Sequence, residues 1–277
     1  MHNPVPATWK WAIFLSLAVL CTGNLHSQTV LYITDGNSQN LQAIDTTNGA
    51  TVFSRNSVVG SYDQPFGLAV TGSIWILNQY SSPTGANQYG LDGTPSGTTS
   101  SFSFPVSQFL DGTTDGVHNY TLAWNGSNAV DIYSANADWT NLQVMISSST
   151  ISALNLTSDL AGITYDLANH SLWISSASNI YQLSLSGTLL SQFALAHSER
   201  GSLAYQASTD TLWFVPNYSS APIEQYSKSG TLLTSLTTGS RSGNVWGAEF
   251  SAVPEPCTWM MLGLGLGLVA LLTRRRA

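Results

Sequence analysis

Two similar stretches of the sequence decide the fold. Residues 180–190 read IYQLSLSGTLL, and residues 223–233 read IEQYSKSGTLL, so that SGTLL is identical in both copies. Each copy follows a triplet centred on tryptophan, LWI at residues 172–174 and LWF at residues 212–214. Self-similarity with a period near 40 residues is typical of a repeat architecture.

The same elements recur along the chain. Related triplets stand at residues 31–33 (LYI) and 74–76 (IWI), with a more distant version at 130–133 (VDIY). A second motif precedes the later triplets, with copies at residues 66–70 (FGLAV), 120–124 (YTLAW), 161–165 (AGITY) and 201–205 (GSLAY). A fifth copy, WGAEF at residues 246–250, has no triplet after it.

We interpret each unit as four short antiparallel strands: a GLAY-type inner strand, an LWI-type second strand, an IYQL-type third strand and, after a Ser-Gly hairpin, an outer strand. Four strands in about 40 residues is the period of a β-propeller blade. The unpaired copy at 246–250 would complete the first blade and close the ring. The sequence therefore predicts an all-β propeller of five four-stranded blades, with six left open by the long interval between residues 75 and 132.

The resemblance to known propellers rests on motifs such as GITYDLANHSLWI at residues 162–174. This pattern resembles the blades of NHL and related secreted propellers over roughly residues 29–251. The resemblance implies the fold and no activity, because propellers include both enzymes and binding modules.

The composition excludes several classes of partner and site. Charged residues make up 8% of the 277-residue chain, whereas nine Trp, eleven Tyr and nine Phe supply material for a packed core. Between residues 28 and 252, fourteen carboxylates face four cations, so we expect no nucleic acid partner. The two cysteines, Cys21 and Cys257, lie outside this region, which therefore has no disulfide and no thiolate metal site.

The first 27 residues have the layout of a secretory signal peptide. Lys10 precedes an apolar run from residue 11 to residue 21, and a small, polar stretch follows. Eleven apolar residues are too few to span a hydrocarbon core of about 30 Å. Lipidation of Cys21 is the alternative, although Leu20 stands where a small residue is normally needed.

The last 25 residues predict a transmembrane sorting helix. The run Val253, Pro254, Glu255, Pro256 is followed by an uncharged apolar stretch at residues 257–273 and then by Arg274, Arg275 and Arg276. The arginines should remain cytoplasmic, which places the preceding body outside the inner membrane.

These three parts in this order resemble the PEP-CTERM sorting signal of bacterial exosortase substrates. The resemblance implies an exosortase-type membrane transpeptidase as a partner, transient anchoring in the inner membrane, and removal of the tail near Pro-Glu-Pro. It also implies delivery to the cell surface or extracellular matrix, often together with exopolysaccharide. A plain C-terminal anchor is the alternative. The domain division is a signal peptide at 1–27, a propeller at 28–252 and a sorting signal at 253–277.

The sequence predicts no catalytic residue, no metal site and no cofactor. It has no Gly-x-Ser-x-Gly motif and no His-x-x-x-His pair. Residues 111–116 (DGTTDG) have the composition of a calcium loop but lack its alternating ligands, so we interpret them as a polar surface turn.

Two related loops form a candidate ligand rim. Asn78 and Tyr80 follow one second strand, and Asn217 and Tyr218 follow another. An aromatic face can pack on a sugar ring while amides bind its hydroxyls, which makes an extracellular polysaccharide a candidate partner. Repetition of a structural loop is the other explanation.

Two functional hypotheses follow. The favoured one is a noncatalytic extracellular propeller that acts as a binding or structural component of an exopolysaccharide or biofilm matrix. The alternative is a metal-dependent hydrolase or lactonase with a central ion held by Asn and Asp side chains from several blades.

Overall fold

The computed structural model describes residues 29–56, 64–79, 84–102, 106–125, 129–156, 159–218, 221–239, 241 and 244–251. The predicted signal peptide and the predicted C-terminal sorting helix lie outside these ranges. Twenty strands and one short helix are described, and no described helix has the length and apolar composition needed to cross a membrane.

The strands form five four-stranded antiparallel sheets, each named below in order from its inner to its outer strand. Blade 1 contains β20 (Val245–Glu249), β1 (Val30–Asp35), β2 (Asn40–Asp45) and β3 (Thr51–Arg55). Blade 2 contains β4 (Gln64–Val70), β5 (Ile74–Gln79), β6 (Thr84–Tyr89) and β7 (Pro95–Phe102). Blade 3 contains β8 (Val106–Thr114), β9 (His118–Asn125), β10 (Val130–Asn136) and β11 (Gln143–Ile146).

Blade 4 contains β12 (Ile163–Asp166), β13 (Ser171–Ser175), β14 (Asn179–Ser184) and β15 (Leu189–Ala194). Blade 5 contains β16 (Gly201–Gln206), β17 (Thr211–Pro216), β18 (Ile223–Ser227) and β19 (Leu232–Leu236). The helix α1 (Ser148–Ala153) lies between β11 and β12, and Ser147 caps its first turn by accepting a hydrogen bond from Thr150 N–H.

The predicted ring closure is confirmed. The C-terminal strand β20 pairs antiparallel with β1 and forms the inner strand of the first blade, with Ala248 opposite Ile33 and Glu249 opposite Tyr32. The predicted count of five blades is confirmed, and the six-bladed alternative is wrong. Closure joins the two ends of the described chain and removes the open sheet-packing surfaces that an unclosed array of blades would leave.

The predicted strand assignment within blade 3 is wrong. The YTLAW motif at residues 120–124 lies in the second strand, β9, and the VDIY motif lies in the third strand, β10. The inner strand is β8, which places polar residues at the axis and therefore lacks the GLAY-type pattern. Its last four residues are Asp111 to Thr114, so the first part of the predicted polar surface turn is a buried inner strand.

The inner strands are brought together by close backbone contacts. A Cβ on Gly67 of β4 would lie 2.6 Å from the backbone nitrogen of Gly112 in β8. A Cβ on Gly162, next to β12, would lie 2.6 Å from the carbonyl oxygen of Gly201 in β16. Because any side chain would collide with backbone at these points, glycine allows the blades to converge on the axis.

The core lies between neighbouring blades. Every residue of the inner strand β16 is buried, whereas most of the outer strand β19 is exposed. Trp173 and Trp213 lie mid-strand in β13 and β17 and are 1% and 2% exposed. Their indole N–H groups donate hydrogen bonds to Asp166 Oδ2 at 3.1 Å and to Gln206 Oε1 at 2.9 Å.

We predict that Trp173→Ala or Trp213→Ala lowers the free energy of unfolding by about 3–5 kcal/mol, because each change leaves a large cavity between blades. Tyr218→Ala serves as the matched control, since that ring is 70% exposed and should contribute little to stability. Urea titration of the three variants gives the comparison. A larger loss for Tyr218→Ala than for the tryptophan variants would contradict this packing.

Candidate ligand site and the axial carboxylates

The axis of the propeller holds a fully buried carboxylate, Asp111 of β8. Its Oδ1 accepts hydrogen bonds from Gly112 N–H at 2.8 Å and from Ala248 N–H at 3.2 Å. Its Oδ2 accepts from Ile163 N–H at 3.1 Å and from Leu203 N–H at 2.8 Å. One side chain therefore binds the inner strands of blades 1, 4 and 5 to its own blade 3.

A second layer of polar bonds surrounds Glu249, which is also buried on the axis. Thr113 Oγ1 donates a hydrogen bond to Glu249 Oε2 and accepts one from Tyr165 N–H at 2.9 Å. In the neighbouring blade, Thr164 Oγ1 accepts from Tyr205 N–H at 2.9 Å. Inner-strand amides that have no partner within their own sheets are thus bonded by side chains from adjacent blades.

Burial raises the pKa of Asp111 well above its usual range, although its four backbone hydrogen bonds oppose this rise because they favour the charged form. Burial also raises the pKa of Glu249, and the Asp111 charge adds to the effect. Both axial groups therefore gain protons more readily in the folded protein than in an unfolded chain.

The alternative of a central metal ion needs free oxygen ligands on this axis. Both oxygens of Asp111 accept two N–H groups each, which surrounds them with hydrogen-bond donors. In the ranges that the structure describes, no group of three or more His, Cys, Asp or Glu side chains is arranged to hold a metal ion. No described feature favours the metal-dependent hydrolase.

We predict that Asp111→Asn lowers the free energy of unfolding by at least about 3 kcal/mol, because the new amide group would point a donor at backbone donors. Thermal or urea denaturation measures the loss. Asp45→Asn, in an exposed turn, is the control and should have a much smaller effect. Equal losses in the two variants would show that the axial carboxylate has no special structural role.

Glu249 should make stability depend on pH in a defined direction. Its pKa is raised on folding, so its contribution is complete below the unfolded value of about 4.3 and is lost progressively as the pH rises above it. We predict that the protein is more stable at pH 5 than at pH 8, and that Glu249→Gln reduces this difference. Denaturant midpoints measured at pH 5 and pH 8 test this. The same difference between the two midpoints in the variant as in the parent would count against it.

A cavity of about 400 Å³ opens on the upper face, which is the face where the inner strands begin and the second strands end. It lies between blades 4, 5 and 1. The lining residues are Ala177, Ser198, Glu199, Arg200, Asn217, Tyr218, Asn244 and Trp246. This volume is within the usual range for small-ligand sites.

Tyr218 stands at the edge of the cavity with a fixed backbone and an exposed ring. Its N–H donates to Glu199 Oε1 at 3.1 Å, and its carbonyl oxygen accepts from Arg241 Nη2 at 3.2 Å. Arg241 is 3% exposed and also donates to the carbonyl oxygen of Ala221. Burial lowers the pKa of Arg241, but an arginine remains charged under all ordinary conditions. The two loop ends are thereby held in place while the ring stays accessible.

Arg200 brings a cation to the cavity, but its charge is already matched. Its guanidinium forms an ion pair with Asp159 and lies 6.0 Å from the centre of the Trp124 ring. Its carbonyl oxygen accepts a hydrogen bond from Asn217 N–H at 2.9 Å. Arg200, which immediately precedes the inner strand of blade 5, thus links that strand to residues of blades 3 and 4.

Two polar atoms in the cavity wall have no partner among the described residues. They are the side-chain oxygen Oδ1 of Asn217 and the indole nitrogen Nε1 of Trp246, an acceptor and a donor respectively. The Trp246 ring packs against Phe66, with ring centres 5.7 Å apart. Unpaired buried polar atoms are uncommon in folded proteins and mark positions where water or a ligand can bind.

The structure brings together half of the predicted rim. Asn217 and Tyr218 both line the cavity, whereas Asn78 lies buried in β5 of blade 2 and Tyr80 falls outside the described residues. Sequence reasoning missed Glu199, Arg200 and Trp246. The signal for Trp246 was available, because a large aromatic residue precedes the motif glycine both there and at Phe66.

Comparison with known protein families identifies the C-terminal segment. The PEP-CTERM protein-sorting motif matches residues 252–276. The chain carries a PEP-CTERM sorting motif. This motif implies export, membrane-associated sorting and exosortase-type processing. A search of curated proteins found no match to the chain.

Solved structures show similar propellers at low identity. A chain of a nidogen/laminin complex matches with a TM-score of 0.55 and 10% identity, over 80% of this chain and 98% of that chain. TolB from Acinetobacter baumannii matches with a TM-score of 0.48 and 13% identity, over 91% and 74%. A gluconolactonase from Xanthomonas campestris matches with a TM-score of 0.44 and 14% identity, over 66% and 68%. At 10% identity the likeness to the nidogen/laminin chain shows the fold alone.

Proposed function

We propose that this chain is a noncatalytic, surface-displayed propeller that binds extracellular polysaccharide through the cavity on its upper face. The observation that carries the proposal is the lining of that cavity, where the exposed Tyr218 ring stands beside the unpaired Asn217 amide oxygen. Aromatic faces and amides are the groups that pack on pyranose rings and bind their hydroxyls. A role in an exopolysaccharide or biofilm matrix follows from such binding at the cell surface.

The route to the surface is the second part of the proposal. Residues 1–27 act as a signal peptide, residues 28–252 form the propeller, and residues 253–277 form the sorting signal with a transmembrane helix. An exosortase-type transpeptidase recognises the region from Val253 to Pro256, while Arg274, Arg275 and Arg276 keep the end of the helix cytoplasmic.

The course of β20 supports display of the cavity. This strand begins beside the cavity at Val245 and ends near the opposite, lower face, where Ser251 Oγ donates to the carbonyl oxygen of Thr71 at 3.0 Å. The body therefore ends on the face away from the cavity. Attachment through that end would leave the upper face accessible to a polymer.

We predict that the mature protein lacks the residues after about position 256, and that neutral substitution of Arg274–Arg276 leaves the protein uncut or misplaced. Intact-mass measurement of protein recovered from the host surface fraction checks this. Arg55→Gln, which changes an exposed cation within the propeller, is the control for a general effect of lost charge. A full-abundance surface species that retains Arg276 would mean that the tail is only an anchor.

We predict that Tyr218→Ala weakens polysaccharide binding by about two- to twelvefold, since stacking on an aromatic ring contributes about 0.5–1.5 kcal/mol beyond the buried area. Calorimetry with oligosaccharides found by a glycan screen measures the change. Val117→Ala, which removes an exposed side chain on the lower face, is the matched control and should bind like the parent. Equal binding by Tyr218→Ala and the parent would place the binding site elsewhere.

A further inference from the structure

We infer that the upper-face cavity binds hydroxyl-rich sugar rings and discriminates against acidic sugars. This inference rests on the proposed function, because it assigns the chemical class of ligand to the same cavity. It depends on three features of the described residues: the balance of charge at the lining, the unpaired amide of Asn217, and the two aromatic rings at the edges.

The charge at the cavity opposes an anionic ligand. Its lining contains one cation, Arg200, whose guanidinium is already paired with Asp159. The lining also contains one carboxylate, Glu199, of which only Oε1 has a described bond, to Tyr218 N–H. An acidic sugar would therefore bring a second carboxylate toward Glu199 without meeting an uncommitted lining cation.

The net charge of the whole propeller also opposes the binding of an acidic ligand. The region between residues 28 and 252 has fourteen carboxylates and four cations. Two of these cations, Arg200 and Arg241, are near the cavity. Arg241 is buried, its Nη2 donates to loop carbonyls, and its Nε and Nη1 have no partner among the described residues. An acidic polymer would approach a protein of the same sign, which slows association at low salt.

The polar wall suits hydroxyl groups. Asn217 Oδ1 has no hydrogen-bond partner among the described residues, so it can accept a hydrogen bond from a ligand hydroxyl. A hydroxyl both donates and accepts hydrogen bonds, so a ring with several hydroxyls can bind the Asn217 amide through either its oxygen or its nitrogen.

The apolar part of a sugar ring also has a surface to contact. Tyr218 exposes 70% of its surface at one edge of the cavity, and the Trp246 indole forms part of the wall, supported by Phe66. Neutral pyranoses have C–H faces that pack on such rings with little cost of desolvation. The combination favours a neutral hexose polymer over an acidic one.

The test compares three oligosaccharide sets of equal length, made of neutral hexoses, hexuronic acids and glucosamine, against the folded propeller at low salt. We expect the neutral set to bind at least tenfold more tightly than the acidic set, and we expect Tyr218→Ala to abolish the difference. Glu199→Gln keeps an acceptor for Tyr218 N–H but removes the charge. It should narrow the gap in affinity between neutral and acidic ligands by about tenfold.

The outcomes separate this inference from the proposed function. Tighter binding of the acidic set than of the neutral or the glucosamine set, still dependent on Tyr218, would overturn the inference and leave a polysaccharide-binding protein. Absence of binding by any set would overturn both. If Glu199→Gln fails to fold, the ranking of the three sets by the parent protein still decides whether the cavity prefers a neutral ring.

Discussion

The structure depends on the hydrogen bonds of one buried carboxylate. Each inner strand of the propeller is paired on one side only, so backbone N–H groups face the axis without partners from their own blades. Asp111 accepts four of them, and three come from other blades. Because a buried unpaired amide is costly, this single side chain joins the interior of the ring in a way that an apolar residue could not. Thr113 and Glu249 continue the same arrangement one layer away.

Closure by β20 completes this axial network. The strand supplies the amide of Ala248 to Asp111 and the carboxyl of Glu249 to Thr113, while it also pairs with β1. The strand β20 therefore has two roles: it is the inner strand of the first blade, and it supplies two groups to the hydrogen-bond network on the axis. The sorting motif at residues 252–276 begins directly after it, so processing near Pro-Glu-Pro would remove no part of the ring.

The rigid ring also explains how a small site can be built from loops. Asn217 and Tyr218 follow β17, Glu199 and Arg200 precede β16, and Trp246 belongs to β20. The loops are linked by backbone bonds such as Asn244 N–H to the carbonyl oxygen of Asn217 at 2.7 Å. Side chains from three blades are held at one cavity, with an exposed aromatic ring and little net charge. This arrangement is the basis of the polysaccharide site that we propose.

Local patterns along the chain were enough to predict the all-β class, the period of the repeat, five blades, the closure and the sorting motif. Those patterns are alternating apolar residues, Ser-Gly hairpins and the order of the motifs, and they also pointed to Asn217 and Tyr218. Two assignments needed the folded molecule: β8 as the inner strand of blade 3, and Asp111 as an axial residue instead of part of a surface turn. An aspartate next to glycine is typical of a turn, and its burial becomes favourable only when amides from residues 52 to 137 positions away converge on it. Such long-range partners leave no local pattern, which is also why Glu199, Arg200 and Trp246 could be assigned to one cavity only after folding.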